Sequence, residues 1–397
     1  MNFASCSVGA VLSNLLPSLS GVGLAVRGRG SEMSSTPRMH DPSPSPHTFH
    51  IPVMGLGYTI DTPLKVAHFG IASVVSIIED ELVERMREFH SVDAGEPFTA
   101  IAKQGLDHRA LRITAYLDLL QRLVDRNMAR VRSAPFTPGS ESTKYFELLP
   151  GSAPLKARYR AMLEMPPGAD RTVLENELRS AMRPGPIDVN IMSKIDPTNY
   201  DKAGNALPPE YCDAMAAFRG FAHSTLRSGV VLSAGYNPRL YAYIAEFADF
   251  LPDAEGHLRK RVILKVSDAR SALVQGKILA KKGVWVSEFR IESGLNCGGH
   301  AFATDGWLLG PIMAEFRDRR TGIADELYAL CNAALAEAGL PLFRAMPPQR
   351  HTVQGGIGTE AEDRFLREHY GMDGTGWGSP FLLVPEVTNV DATTLHE

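Results

Sequence analysis

Three side chains capable of acid–base or covalent chemistry, and one hydrogen-bonding amide, stand where the chain pattern puts the ends of strands. Asn190 closes I-D-V-N-I-M (187–192), Lys265 lies in R-V-I-L-K-V-S (261–267), and Cys297 and His300 share E-S-G-L-N-C-G-G-H-A-F (292–302). An imidazole suits proton abstraction because its ordinary pKa lies near working pH. A thiolate can attack a bound substrate, and an amine can form a Schiff base. Two glycine-bearing stretches follow: H-T-V-Q-G-G-I-G-T (351–359) and, after a helical run, G-M-D-G-T-G-W-G-S-P-F-L-L-V-P-E (371–386). Glycine lets backbone N–H groups approach an oxyanion with no Cβ in the way. A helix start just after Gly355–Thr359 adds unpaired donors and the positive end of a dipole. Two such turns on neighbouring strands make a phosphate cup, which α/β barrels build after strands seven and eight. Plainer readings stand beside these: Lys265 as an outward strand-end lysine, Asn190 as a turn cap, His300 as structural, Cys297 as a small buried filler.

The elements that must position these groups alternate regularly. H-I-P-V-M-G-L-G from His50 reads as a short first strand running into a glycine turn at Met54–Gly55, and Thr62–Pro63 opens a helix. Ala72–Ile78 (A-S-V-V-S-I-I) is continuously apolar, as buried parallel strands are, and a helix follows from Asp80. Residues 93–185 carry helical patterns and read as a helical insertion after the second strand, packed on one rim. Strands at 187–192, 229–234, 261–267 and 284–291 then alternate with helices. The two glycine stretches bring the count to eight, with the eighth strand ending near Val384. The fold class is therefore α/β, a (β/α)8 TIM barrel spanning 48–397. Residues 1–47, with R-G-R-G-S and S-P-S-P-S-P-H, read as a disordered arm, an over-extended gene start among its explanations. Only Pro385–Glu397 follow the eighth strand, so the seam between the first and eighth strands is expected to be poorly covered.

The chain has 397 residues and a formal net charge of −4, which offers no basic field for nucleic acid or an anionic membrane surface. Its four cysteines show no metal spacing, and no apolar run in the body is long enough to span a bilayer. A cytoplasmic protein acting on a small molecule, with no nucleic-acid or membrane partner, is the expectation. A homo-oligomer is compatible with it.

The segment G-V-W-V-S-E-F-R-I-E-S-G-L-N-C-G-G-H resembles the strand-six region of nitronate monooxygenases, also called 2-nitropropane dioxygenases, which ends in E-A-G-G-H. Q-G-G-I-G-T and D-G-T-G-W-G-S-P-F-L-L-V-P-E resemble that family's phosphate motifs, and I-L-K-V-S resembles a strand of the glutamate synthase FMN barrel. The resemblance covers roughly 50–80 and 186–390. It implies FMN as cofactor, with its phosphate at Gly355, Gly356, Gly376, Gly378 and Ser379. Met54 and Gly55 would lie along the flavin ring, Asn190 at its edge, and Gly298 and Gly299 beside it. Lys265 would supply positive charge near N1/O2, and His300 would be the base. Asn296, Cys297, Trp377 and Pro380 depart from the family pattern. The expected activity is an FMN-dependent oxidoreductase, monooxygenase-like, that oxidises a small carbon acid. The rivals are a non-redox phosphate-binding aldolase or isomerase using Lys265 or His300, a thiol mechanism at Cys297, and a catalytically idle partner-binding barrel.

Overall fold

A computed structural model describes residues 45–55, 59–192, 196–232, 237–292, 309–382 and 387, the side chains of Ser379 and Leu382 excepted. Eight parallel strands close into a barrel in sequence order. They are β1 (Phe49–Ile51), β2 (Ala72–Ile77), β3 (Ile187–Ile191), β4 (Gly229–Leu232), β5 (Arg261–Val266), β6 (Val286–Ile291), β7 (Arg350–Gln354) and β8 (Gly374–Gly376). The helices are α1 (Thr62–Val66), α2 (Asp80–Asp93), α3 (His108–Ser133), α4 (Glu141–Glu147), α5 (Pro154–Glu164) and α6 (Ala169–Ala181). They continue with α7 (Asp213–His223), α8 (Pro238–Ile244), α9 (Ala269–Ala280), α10 (Leu309–Glu337), α11 (Glu360–Tyr370) and α12 (Ser379–Leu382). The expected (β/α)8 barrel is the observed fold. No helix among the described residues is long and apolar enough to cross a membrane.

The outward face of the strands supplies the main core. Val75, Val189, Val230, Leu264, Phe289 and Val353 are fully buried beneath the helices. Parallel strands covered this way tolerate β-branched side chains on every helix-facing position.

Three expectations about the elements need correction. The helical stretch 93–185 is not all a rim addition. Its longest helix, α3, packs between α2 and α7 and buries Ile113, Tyr116, Leu120 and Val124 in the main core. The contact with α7 is so close that a Cβ on Gly220 would lie 2.7 Å from Ile113. Helices α4–α6 form a second core around Phe146, Tyr159, Met162 and Leu178, closed by Met128 and Val131 of α3. This satellite lies beside the entry to β3, where the Tyr145 hydroxyl donates to the Arg183 carbonyl at 3.0 Å.

The eighth strand is the glycine run itself, not the F-L-L-V that follows it; Phe381 belongs to α12. Thr375 N–H donates to Thr48 O at 3.1 Å and Trp377 N–H to His50 O at 3.0 Å, closing the barrel against β1. A side chain at Gly376 would put its Cβ 2.7 Å from Gln354 Cβ and 3.0 Å from His50 Nε2. Close approach therefore selects glycine here, in a strand whose composition reads as a turn. Phe381 stacks on Phe49 (6.0 Å, 17°), and Ile51, Thr375 and Phe381 at the seam are buried. The expected bare apolar seam is absent among the described residues; all of the tail after Leu382 except Val387 lies outside them.

The third correction is small. Ser45–His47 belong to the folded body, with Ser45 Oγ on Gly70 O at 2.8 Å and His47 buried. The reading of residues 1–44 falls outside the described residues.

His351 faces α10 between Phe289 and Phe316, with ring centroids 5.8 and 5.3 Å away. Neither ring nitrogen has a hydrogen-bond partner among the described residues. Burial, reinforced by Arg320, lowers its pKa from 6.5 to about 4. Its folded pKa lies below its unfolded value, so the folded state gains nothing from this group as a cation. Its contribution is complete above pH 6.5 and is lost as pH falls toward 4. We therefore expect His351→Phe to lose about 2 kcal/mol less stability than the parent between pH 6.5 and 5, measured by urea unfolding. Equal acid sensitivity of the two proteins would contradict this assignment.

Candidate active site at the barrel mouth

Alternate residues of each strand turn into the barrel, and there the lining is charged. Arg290 of β6, 3% exposed, donates to Asp188 of β3 at 2.6 Å and to Glu288 of its own strand at 2.7 Å. Asp188 also accepts Gly229 N–H at 2.9 Å, and Glu288 accepts the Thr352 hydroxyl at 2.8 Å, with Arg350 at 3.4 Å. Burial by itself would raise the Glu288 pKa, but Arg290 and Arg350 hold it well below the usual carboxylate range. Burial would likewise lower the Arg290 pKa, and Glu288 and Asp188 raise it instead. The network ties β3, β4, β6 and β7 together through the barrel axis. Burial first, and Arg290 second, lower the pKa of the neighbouring His50 to about 3, against an opposing pull from Glu288.

One layer higher, at the carboxyl ends of the strands, the inward positions are Asn190, Lys265, Gln354 and Gly376. Asn190 is 2% exposed; its Nδ2 reaches Ser76 Oγ at 3.5 Å, and its Oδ1 has no partner among the described residues. Lys265, the register partner of Arg290, extends to Glu292 just past β6, with Nζ 2.7 Å from Oε2. Gln354 lies opposite Gly376 in register and faces His50 Nε2 at 3.4 Å. The structure thus brings Asn190 and Lys265 to one rim with the β7 and β8 ends. It places Met54 and Gly55 beyond the end of β1, which stops at Ile51, in a loop pinned by Thr59. Met54 N–H donates to Thr59 Oγ1 at 2.9 Å, and Thr59 Oγ1 donates to Gly55 O at 3.0 Å. Cys297, Gly298, Gly299 and His300 lie outside the described residues.

The two parts of the expected phosphate cup differ in whether their backbone donors are engaged. Gly355 and Gly356 both adopt positive φ (107° and 72°), a conformation glycine takes freely, and no described residue accepts from their N–H groups. The start of α11, by contrast, is filled by its own capping box. Glu362 Oε2 accepts the N–H groups of Gly358 and Thr359, both at 2.9 Å, while Thr359 caps Glu362 N–H. Those donors are engaged, so an anion here would rest on the Gly355–Gly356 turn rather than on the helix end. Of the second turn, Gly376 is an inward strand residue. A Cβ on Gly378 would meet Pro52 only at van der Waals distance, and Ser379 begins the four-residue α12.

A cleft of about 150 Å³ opens beside the ends of β2 and β3, lined by Ile77, Ile191, Met192, Arg109, Asp80 and Asp213. Arg109 bridges two of its carboxylates, 3.1 Å from Asp213 and 3.5 Å from Asp80. Sequence reasoning passed over Glu292, Gln354, His50 and the whole Asp188–Arg290–Glu288 network. A signal existed: I-D-V-N-I and E-F-R-I alternate polar and apolar residues, as does R-H-T-V-Q apart from His351, although helices cover their outer faces. A polar period-two set in such strands can only point into the barrel. No protein-family model matches the chain, and no curated protein is similar to it beyond chance.

Removing one partner of a buried ion network leaves the others uncompensated. Arg290→Met should therefore destabilise the fold by about 3–5 kcal/mol, read as a lowered urea midpoint, by stranding both Asp188 and Glu288. A loss below about 1 kcal/mol would show that the network does not hold the barrel interior together.

Proposed function

We propose that the protein is an FMN-dependent oxidoreductase acting on a small carbon acid, in the manner of the nitronate monooxygenases that its motifs resemble. The observation that carries the reading is the complementarity of the two sides of the mouth. Among the described residues, the Gly355–Gly356 turn presents unengaged N–H donors after β7, while Asn190 on β3 presents a buried, unpartnered acceptor. A ligand satisfying both must bear an oxyanion at one end and a hydrogen-bond donor at the other. A flavin mononucleotide has both, in its phosphate and the N–H edge of its ring.

In this reading Gly355 and Gly356, joined by Gly378 and Ser379, hold the phosphate, and Asn190 orients the ring edge. Met54 and Gly55, fixed by Thr59, border one side of the ring and Lys265 another. When bound, FMN supplies a two-electron acceptor that the side chains of this chain lack. The remaining work belongs to the protein: His300 accepts the proton from the carbon acid, and the barrel wall excludes water from the reacting face. The Lys265–Glu292 pair also suits the rival reading, because an amine beside a carboxylate could form and protonate a Schiff base. Borohydride trapping of substrate on Lys265 in a colourless protein would favour that alternative.

Purified protein should be yellow and release FMN on denaturation. Gly356→Val should purify without it, because a β-branched side chain blocks the backbone approach and disfavours positive φ. Full flavin content in that variant would refute the phosphate assignment.

The two candidate reactive groups separate kinetically. His300→Asn should keep flavin and slow its reduction by substrate on the order of 10²–10⁴-fold, whereas Cys297→Ala should cost far less. The reverse ranking, with substrate protecting against thiol alkylation, would establish the thiol mechanism instead.

A further inference from the structure

Three residues at the seam of the barrel share one row. Gln354 of β7, Gly376 of β8 and His50 of β1 are register partners in turn, and beyond His50 the row continues to the small Ala72 of β2. Strands β7 and β1 are not neighbours, yet His50 Nε2 stands 3.4 Å from Gln354 Oε1. The two side chains meet because Gly376 between them has none: a Cβ there would lie 2.7 Å from Gln354 Cβ and 3.0 Å from His50 Nε2. Both are buried, each 6% exposed. Burial and then Arg290 keep the imidazole neutral, since a second cation in this interior is costly. A neutral ring nitrogen that faces an amide oxygen must carry the proton. With its oxygen so engaged, the planar amide of Gln354 turns its two N–H groups away from His50, and no described residue accepts from them.

We propose that Gln354 is a binding residue that donates from Nε2 to an acceptor on the ring or ribityl part of the cofactor, and that His50 is the positioning residue that keeps those donors turned to the mouth. The inference rests on the flavin reading of the mouth and adds to it a side-chain donor on the wall below the phosphate turn. Chain order gives the address. Gly355 and Gly356 follow β7 directly, so Gln354, the last residue of that strand, points inward beneath the turn and faces the part of a ligand that lies deeper than its phosphate. An amide free to rotate offers an acceptor as readily as a donor. The His50 contact is long, and its value is in orientation: a donor fixed beforehand loses less freedom on binding.

Orientation is tested without any ligand. Selective ¹⁵N labelling of histidine, with the His50 signal identified by its loss in His50→Gln, reports the tautomer, and protonation at Nε2 is expected at neutral pH. Protonation at Nδ1 would mean that the ring accepts from the amide and that the oxygen faces the mouth, which overturns the proposal whether or not a flavin binds. Affinity is read by titrating the flavin-free protein with FMN and with riboflavin. Gln354→Met keeps the volume without the donors and should weaken both ligands alike, on the order of tenfold. His50→Phe should weaken both by about threefold, whereas His50→Gln, which again offers an N–H to the Gln354 oxygen, should stay near the parent. Adding His50→Phe to Gln354→Met should cost nothing further, because His50 acts through that amide. If His50→Phe does not fold, the tautomer and Gln354→Met still decide. A loss confined to FMN would show that Gln354 only props the phosphate turn, and that result, like unchanged affinities for both ligands, would refute the donor role. A parent protein that binds neither ligand would instead refute the flavin reading, and with it the acceptor assigned to Gln354.

Discussion

Everything at the mouth of this barrel rests on a guanidinium buried in its axis. Arg290 joins Asp188 on the far side of the barrel to Glu288 on its own strand, and Glu288 carries the link on to Thr352 and Arg350. Barrels are more often plugged with layers of branched aliphatic residues. A charged filling is costly unless every partner is satisfied, because each desolvated ion must recover several kcal/mol through contacts. Here the contacts are short and the geometry closed, so the interior is rigid in register. That rigidity fixes the layer above it. Lys265 sits beside Arg290 across the β5–β6 ladder and has Glu292 as its carboxylate one step higher.

The same logic of close approach governs closure between β8 and β1. The glycines of β8 leave room for Gln354 and His50 inside, while Thr375 faces outward, takes the Trp377 indole N–H at 2.9 Å and donates to Asp363 of α11. A bulkier strand would push Gln354 and the Gly355–Gly356 turn away from the mouth. Closure of the barrel and presentation of backbone N–H donors are therefore one structural requirement.

The fold was legible because its signals are local and redundant. A-S-V-V-S-I, R-V-I-L-K-V and V-S-E-F-R-I each read as covered strands, and caps such as Thr359 and Asp268 mark the helices between them. Asn190 and Lys265 were legible as strand-end residues for the same reason. What escaped were features that depend on partners far along the chain. Nothing near G-T-G announces a strand, because its pairing with Phe49 and His50 comes from the other end of the sequence. The capping role of Glu362 competes with an anion-binding reading of Gly358 and the helix start, and only geometry decides between them. The long helix α3 has the periodicity of any amphipathic helix; its place between α2 and α7 follows from the fit of Ile113 against Gly220.

In the proposed function the Gly355–Gly356 turn is the phosphate seat of this charge-braced barrel and the opposite wall the seat for a flavin ring. Equilibrium titration of the flavin-free protein with FMN and with riboflavin, followed by flavin fluorescence, tests it most directly. The two ligands differ only in the phosphate, and a charge-assisted set of backbone hydrogen bonds should favour FMN by at least about tenfold, corresponding to about 1.5–3 kcal/mol. Equal affinities, or binding of neither ligand, would contradict the account.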